Sequence, residues 1–236
     1  MIFVDDGNGG RAVVVISGGL DSTTVLYYAL DRGFTAYPIT FDYGQIASAE
    51  IRSAESVSKR LGLPWRRVDL SGLSDIYMGA TSLVDRGIEI TREFSKPIVV
   101  PFRNAVLLSV AVAYAGSIGA SRVLYGAHAS DAENYPDCRR EFVEAMERAA
   151  RLGTGTEISI EAPLLSLKKS EVVRLGARLG VPFELTWSCY RDGEVHCGSC
   201  ESCENRKRAF LEAGVKDPTV YQDRAHQNAT RERGEG

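Results

Sequence analysis

The sequence holds no apolar run of about 18 residues or more, so no segment reads as a membrane-spanning helix. Its richest stretch, AVLLSVAVAYA from Ala105 to Ala115, is too short and reads as a core or interface helix. A positive excess is also missing, because 28 Lys and Arg face 31 Asp and Glu for a formal net charge of −3. Without surplus cations the chain cannot neutralise many phosphates, which excludes a strongly basic nucleic-acid binder but leaves room for a local RNA patch. Met1 to Arg11 carries an acidic pair where a signal peptide needs a basic flank and an apolar core, and a cytoplasmic location is expected. No internal repeat or low-complexity tract is present. From Gln222 to Gly236 there is no Val, Leu, Ile or aromatic residue, so this stretch reads as a polar, frayed tail.

What remains is ordinary globular material: 236 residues, 44% apolar and 25% charged, enough to bury a core without covalent staples. At about 150 residues per domain the length gives roughly 1.6 domains, one medium domain with an appendage. Ala12 to Ile16 is a continuous β-branched run of the kind that forms a strand buried on both faces of a parallel sheet. Further strands are expected at Thr35 to Phe41, Trp65 to Leu70 and Arg122 to Gly126, with an extended stretch at Ile158 to Leu165. Helices are expected at Thr23 to Asp31, Ala47 to Leu61, Asn104 to Ile118, Arg139 to Leu152, Lys169 to Leu179 and Glu204 to Ala213. Ser71 to Val100 reads as a long irregular connection. The alternation predicts an α/β, doubly wound, mostly parallel sheet with a C-terminal zinc-binding helical segment. The expected division is an α/β domain at 1–185, a C-terminal segment at 186–221 and a tail at 222–236.

SGGLDS follows the first strand at once. Two glycines let the backbone approach a ligand closely, and the loop amides with the following helix start make an anion site. Asp21 is an acid in a phosphate cradle, which a bridging Mg²⁺ would make tolerable. No Lys follows the glycines as in a Walker A loop, and GxGxxG is absent. Cys is scarce at five, and four of the five, Cys189, Cys197, Cys200 and Cys203, crowd into one short stretch. Their x7, x2 and x2 spacings bring four thiolates onto one metal, with a closed structural Zn²⁺ as the favoured reading. An iron–sulfur cluster and two disulfides are the alternatives. His196 lies inside the cluster without being needed as a ligand.

SGGLDS resembles the signature of the PP-loop ATP pyrophosphatases, which share the adenine nucleotide alpha-hydrolase-like fold and split ATP between its α and β phosphates. Further stretches narrow the resemblance: TFDYGQ at Thr40 to Gln45, VPFRN at Val100 to Asn104, YPDCRREF at Tyr135 to Phe142, APLLSLKKSEVVRLGARLGVP at Ala162 to Pro182, TWSCY at Thr186 to Tyr190 and CGSCESC at Cys197 to Cys203. Together they span roughly residues 12 to 220 and resemble the 7-cyano-7-deazaguanine synthase family. The resemblance implies an ATP-dependent C–N ligase that converts 7-carboxy-7-deazaguanine and ammonia to the nitrile preQ0 through adenylated intermediates. The implied route is queuosine or archaeosine biosynthesis, and the substrate is a free base rather than tRNA.

The resemblance assigns the ATP phosphates to Ile16, Ser17, Gly18, Gly19, Leu20, Asp21, Ser22, Thr23, Thr24, Val25 and Leu26. Ser17, Asp21, Ser22, Arg103 and Lys169 are the expected catalytic set. Arg103 is a planar bidentate donor for phosphate or carboxylate, with a surface ion pair as its alternative. Lys169 is expected to reach pyrophosphate, or else to sit solvated at a helix start. Asn104, Asp131, Tyr135, Asp137, Cys138 and Arg139 join Arg103 as expected substrate contacts. Asn104 can equally cap the following helix, and Asp137 can equally be a capping loop acid. Cys138 reads as a packing or substrate-wall residue, and His128 as a satisfied loop histidine. Expected partners are the deazapurine, ATP and ammonia, with no stable nucleic acid and no membrane, and with a second copy of the chain in a homodimer. One departure stands out: after TFDYGQ the family carries Arg-His, where this chain has Ile46-Ala47. That change bears on nucleotide contacts or on the amine accepted. A relative that stops at the amide or uses another amine therefore stays open, as does a tRNA-thiolating PP-loop enzyme with Cys138 as sulfur carrier.

Overall fold

The computed structural model describes residues 9–222, so the acidic pair near the start and the tail beyond Gln222 lie outside the described residues. Five strands, β1 (Arg11–Val15), β2 (Thr35–Asp42), β3 (Arg66–Asp69), β4 (Arg122–Leu124) and β5 (Ser159–Glu161), form one sheet in the order β3-β2-β1-β4-β5. Every pairing is parallel. The chain winds outward from β1 in one direction, then returns to β4 on the other side of β1. That reversal opens a crevice beyond the carboxyl ends of β1 and β4, the position where open α/β sheets bind ligands.

Alternation along β1 shows why both faces are covered. Ala12 and Val14 belong to one core, with Leu26 and Ala29 of α1 (Leu20–Asp31) and Val57 of α2 (Ala49–Arg60). Val13 belongs to the opposite core, beneath Leu108 and Ala111 of α4 (Arg103–Ile118) and Val143 of α5 (Arg140–Thr154). Successive side chains of a strand point to opposite faces, so a run such as AVVV needs a helical layer on each side. The first layer is completed by Val172 and Val173 of α6 (Lys169–Leu179) and Phe210 of α7 (Glu201–Ala213). The apolar helix α4 therefore turns Leu107, Leu108, Ala111, Val112 and Ala115 into the core.

Differences from the sequence expectation fall at element ends. Helix α1 begins at Leu20, three residues before the expected Thr23, because the glycine loop is shorter than its composition suggests. Helix α7 begins at Glu201, directly on the metal cluster. The extended stretch expected at 158–165 keeps only Ser159–Glu161 as strand. The irregular connection at 71–100 contains a short helix, α3 (Leu73–Tyr77), and a 3-10 turn at Lys96–Ile98.

Candidate functional site

The loop after β1 is held in a fixed curl. Ser17 N donates to Ser22 Oγ at 3.1 Å, Gly19 N donates to Ser17 Oγ at 3.3 Å, and Ser22 Oγ donates to Gly19 O at 3.2 Å. Gly18 has φ +88°, and a Cβ there would lie 2.2 Å from the carbonyl oxygen of Glu50. Only glycine lets the first turn of α2 lie against this loop. A Cβ on Gly126 would come 2.9 Å from Ser22 N, so the end of β4 presses on the first turn of α1 in the same way. No side chain caps α1, so its first amides are left for an anionic ligand.

Beside this loop a charged cluster assembles from three parts of the chain. Asp21 of α1 is ion-paired with Lys169, the first residue of α6. Lys169 Nζ is 3.3 Å from His128 Nε2, and His128 Nε2 is 3.3 Å from Asp131 Oδ2. Burial works to raise the Asp21 pKa, but the Lys169 ammonium and its neighbour His128 outweigh it and hold the carboxyl below the usual range. Burial first, and Lys169 second, push His128 down to about 4, so its ring is neutral at pH 7. Burial pushes Asp131 up to about 7, against the pull of Lys169. Asp21 Oδ1 is buried without a hydrogen-bond partner. An orphaned carboxylate oxygen beside the uncapped start of a helix fits a divalent cation of oxygen preference.

A cavity of about 230 Å³ opens from the loop toward α2 and α4, lined among others by Ser17, Tyr43, Glu50, Arg103, Asn104 and Tyr190. An adjoining recess of about 180 Å³ shares Asp21, Glu50, Arg103 and Cys138 and adds Tyr135 and Lys169. Arg103 Nη1 donates to Tyr43 Oη at 3.2 Å. Burial opposes its charge, but Tyr43, Asp137 and Glu50 overcome that and keep it firmly protonated. It is set at the head of α4 by Phe102, whose φ of +56° is the one left-handed non-glycine conformation among the described residues.

The expected substrate residues divide. Asn104 N donates to Asp137 Oδ2 at 3.1 Å, and Asn104 Nδ2 to Asp137 O at 3.3 Å. Asp137 thus caps α4, and the two residues hold each other. Arg139 is exposed, donates to Ala132 O at 2.9 Å and lines neither cavity. Cys138 is buried on the cavity wall, and burial with nearby Asp131 and Asp137 pushes its thiol well up, away from thiolate. His128 sits in the charged cluster with a buried, unpartnered Nδ1, not in a satisfied loop. Ala47 lines the larger cavity, while Ile46 N donates to Leu83 O at 2.8 Å.

The sulfurs of Cys189, Cys197, Cys200 and Cys203 all lie within 4.8 Å of one another. Two pairs are 3.9 Å apart, close to the edge of about 3.8 Å that a tetrahedron of Zn–S bonds of about 2.3 Å requires. Backbone amides of Arg191 and Cys200 donate to two of the sulfurs at 3.4 and 3.3 Å. The cluster can hold a metal ion, and all four of its positions are filled by sulfur. His196 is occupied otherwise, accepting from Ser188 N at 3.0 Å and stacking on Trp187 at 4.3 Å.

Three features were not legible in the sequence. Glu50 lines both cavities from the first turn of α2, where an acid on an amphipathic helix reads as solvated. Arg206, 1% exposed, donates to Thr186 Oγ1, Ser188 Oγ and Phe183 O at 2.8, 3.0 and 3.0 Å and pairs with Asp217. Trp187 N donates to Gly18 O at 2.9 Å, joining the cysteine segment directly to the glycine loop.

Comparison with known proteins agrees with this arrangement. The family model described as queuosine biosynthesis protein QueC matches residues 11–214. The 7-cyano-7-deazaguanine synthase of Caldicellulosiruptor bescii is 45% identical over 215 residues, covering 90% of this chain and 97% of its own. That of Archaeoglobus fulgidus is 44% identical and covers 94% of each chain. Among solved structures, a 4-thiouridine synthetase in complex with RNA and bound ATP aligns with a TM-score of 0.54 at 18% identity, over 87% of this chain and 51% of that one. The NMN synthetase of Francisella tularensis aligns at 0.50 and 16% identity, over 88% and 78%. At such identities these two carry the fold alone, the parallel five-stranded sheet and its helices. The glycine loop, the four-cysteine cluster and the near full-length match together make this chain a member of the QueC family.

Proposed function

We propose that the protein is a 7-cyano-7-deazaguanine synthase: an ATP-dependent ligase that turns 7-carboxy-7-deazaguanine and ammonia into the nitrile preQ0. The observation that carries this is the 45% identity to a synthase of that name over 97% of the relative's length. A carboxylate lacks a leaving group. Its oxygen attacks the α-phosphorus of ATP, pyrophosphate departs, and the acyl adenylate then accepts ammonia and releases AMP, leaving the amide. The amide oxygen repeats the attack on a second ATP. AMP then leaves with that oxygen while the nitrogen gives up its protons, which forms the nitrile.

Protein groups supply positioning and charge. The loop from Ile16 to Leu26 holds the phosphates, with Ser17 and the first amides of α1 facing them and Ser22 fixing the curl of the loop. Lys169, beside Asp21, reaches the departing pyrophosphate. Mg²⁺, when bound through Asp21, shields phosphate charge. Arg103 holds the substrate carboxylate, and Tyr135, Asp131 and the Asn104 side chain border the base. Cys138 walls the cavity. Its raised thiol gives no support to a sulfur-carrier role. Zn²⁺ in the four-cysteine site is structural, within a segment at 186–221 that closes the ATP-binding part at 1–185. Cytoplasmic location and a homodimer complete the reading.

The test is a product assay. Purified protein with ATP, Mg²⁺, 7-carboxy-7-deazaguanine and ammonium should yield preQ0 and AMP by mass spectrometry. Amide as the final product would mean that the second activation is missing, and absence of AMP would overturn the assignment.

A further inference from the structure

The reaction releases protons that no residue assigned so far takes up. Ammonium, the dominant form at neutral pH, must lose one before its nitrogen can attack, and the amide nitrogen must lose both of its protons to become a nitrile. A carboxyl or imidazole free to act must therefore border the cavity. Asp21 is committed to Lys169 and held acidic. Asp131 contacts His128, on the phosphate side with Lys169. Asp137 is committed to the Asn104 amide. Glu50 differs from all of these. Like Asp21 and Asp131 it lines both cavities, but no hydrogen bond or ion pair reaches its carboxylate among the described residues. The carbonyl oxygen of the same residue abuts Gly18, so Glu50 stands directly against the glycine loop.

We infer that Glu50 is the general base of both half-reactions, holding the ammonium ion beside the acyl adenylate and taking the nitrogen's protons as AMP leaves. This rests on the proposed synthase reading. In the first half-reaction the C–N bond forms, the C–O bond to AMP breaks with its electron pair on the phosphate oxygen, and one ammonium proton passes to the Glu50 carboxylate before attack. A second is lost as the tetrahedral centre collapses to the amide. In the second half-reaction the adenylated amide loses its N–H protons while the C–O bond to AMP breaks. Each proton passes on to solvent between steps.

Burial pushes Glu50 up to about 7 against the pull of Arg103, which places the carboxyl where a base works best near neutrality. The groups around it are accounted for. Arg103 from α4 and Tyr43 from the end of β2 lie on its side of the cavity. Asp21 from α1, Asp131 after β4, Cys138 and Lys169 from α6 line the adjoining recess with it, and Tyr190 comes from the cysteine segment. Lys169 is already paired with Asp21, which leaves Arg103 as the charge that acts on Glu50.

The test separates adenylation from amine transfer in the zinc-loaded enzyme. Without ammonium, Glu50→Gln should keep the wild-type burst of pyrophosphate and an unchanged KM for the deazapurine. With ammonium, its turnover should fall about 100-fold or more, in the range of a lost general base. Hydroxylamine, already neutral at pH 7, should restore most of that loss by forming the hydroxamate. Compared at constant free ammonia, the wild-type rate should rise with pH through about 7, and Glu50→Gln should lose that limb while Asp131→Asn keeps it. Glu50→Asp, which retains the carboxyl, should fold, keep the limb and turn over more slowly. Equal losses with ammonium and hydroxylamine, loss of the burst in both Glu50 variants, or a raised deazapurine KM with an unmoved limb would each assign Glu50 to binding and overturn the proposal. A wild-type enzyme with no burst would instead sink the synthase reading itself.

Discussion

Asp21 and Lys169 stand 148 positions apart in sequence and meet as an ion pair at the mouth of the glycine loop. Neither is solvated freely, so each depends on the other. Removing one partner of a semi-buried pair costs more than removing both, because a lone charge is left in a poor solvent. Lys169→Met should therefore destabilise by roughly 1 to 3 kcal/mol, whereas Asp21→Asn combined with Lys169→Met should recover most of that loss. Thermal melts of the single and double variants check this. Activity should follow a different order, with AMP release abolished in both, because the phosphates lose their cation either way. Recovery of activity in the double variant would argue that the pair serves folding alone.

Among the elements, the junction of the glycine loop with α2 decides whether the site exists. Gly18→Ala places a methyl carbon 2.2 Å from a backbone oxygen of α2 at a positive φ, a conformation that by itself costs about 1 kcal/mol or more for a non-glycine residue. The helix must shift, and Glu50 shifts with it. The expected outcome is a folded protein with unchanged far-ultraviolet circular dichroism and no measurable ATP binding by calorimetry. At this scale the sequence was largely legible. β-branched runs gave the strands, and α6 was placed at Lys169–Leu179 as found, between a lysine pair and a glycine stop. The tight glycine turn after β1 and the convergence of four cysteines were legible from their spacing. Glu50 and Arg206 stayed hidden for a physical reason: each sits on a helix with a charged face, and only the packing of that helix against a distant segment turns the residue inward. Asp137 reads equally as a substrate contact or a capping acid, and its cap reaches α4 across 33 positions, beyond the reach of local patterning.

Across the whole molecule, the cysteine segment and the nucleotide loop behave as one body. Cys189 lies two residues from Trp187, whose amide donates to Gly18 O, and Arg206 fastens Thr186 and Ser188 from α7. Stripping the metal with a chelator should therefore lower Tm and weaken ATP binding together, while the five-stranded sheet persists in circular dichroism. Metal analysis of the untreated protein should give about one zinc per chain for a four-thiolate site. ATP affinity unchanged after complete removal would show the two ends to be independent.

The Trp187 to Gly18 bond also sets an order in time. A ribosome delivers residues 17–19 among the first of the sheet and residues 187–203 among the last. While the chain is still emerging, β1 and β2 can pair and α1 can form, but the loop lacks its far support and the cavity lacks the wall that carries Tyr190. The nascent protein thus holds an apolar sheet ready to pack well before it holds a nucleotide site. Completion of the loop's support and of the cavity wall therefore waits for the cysteine segment, the last part of the fold to be made.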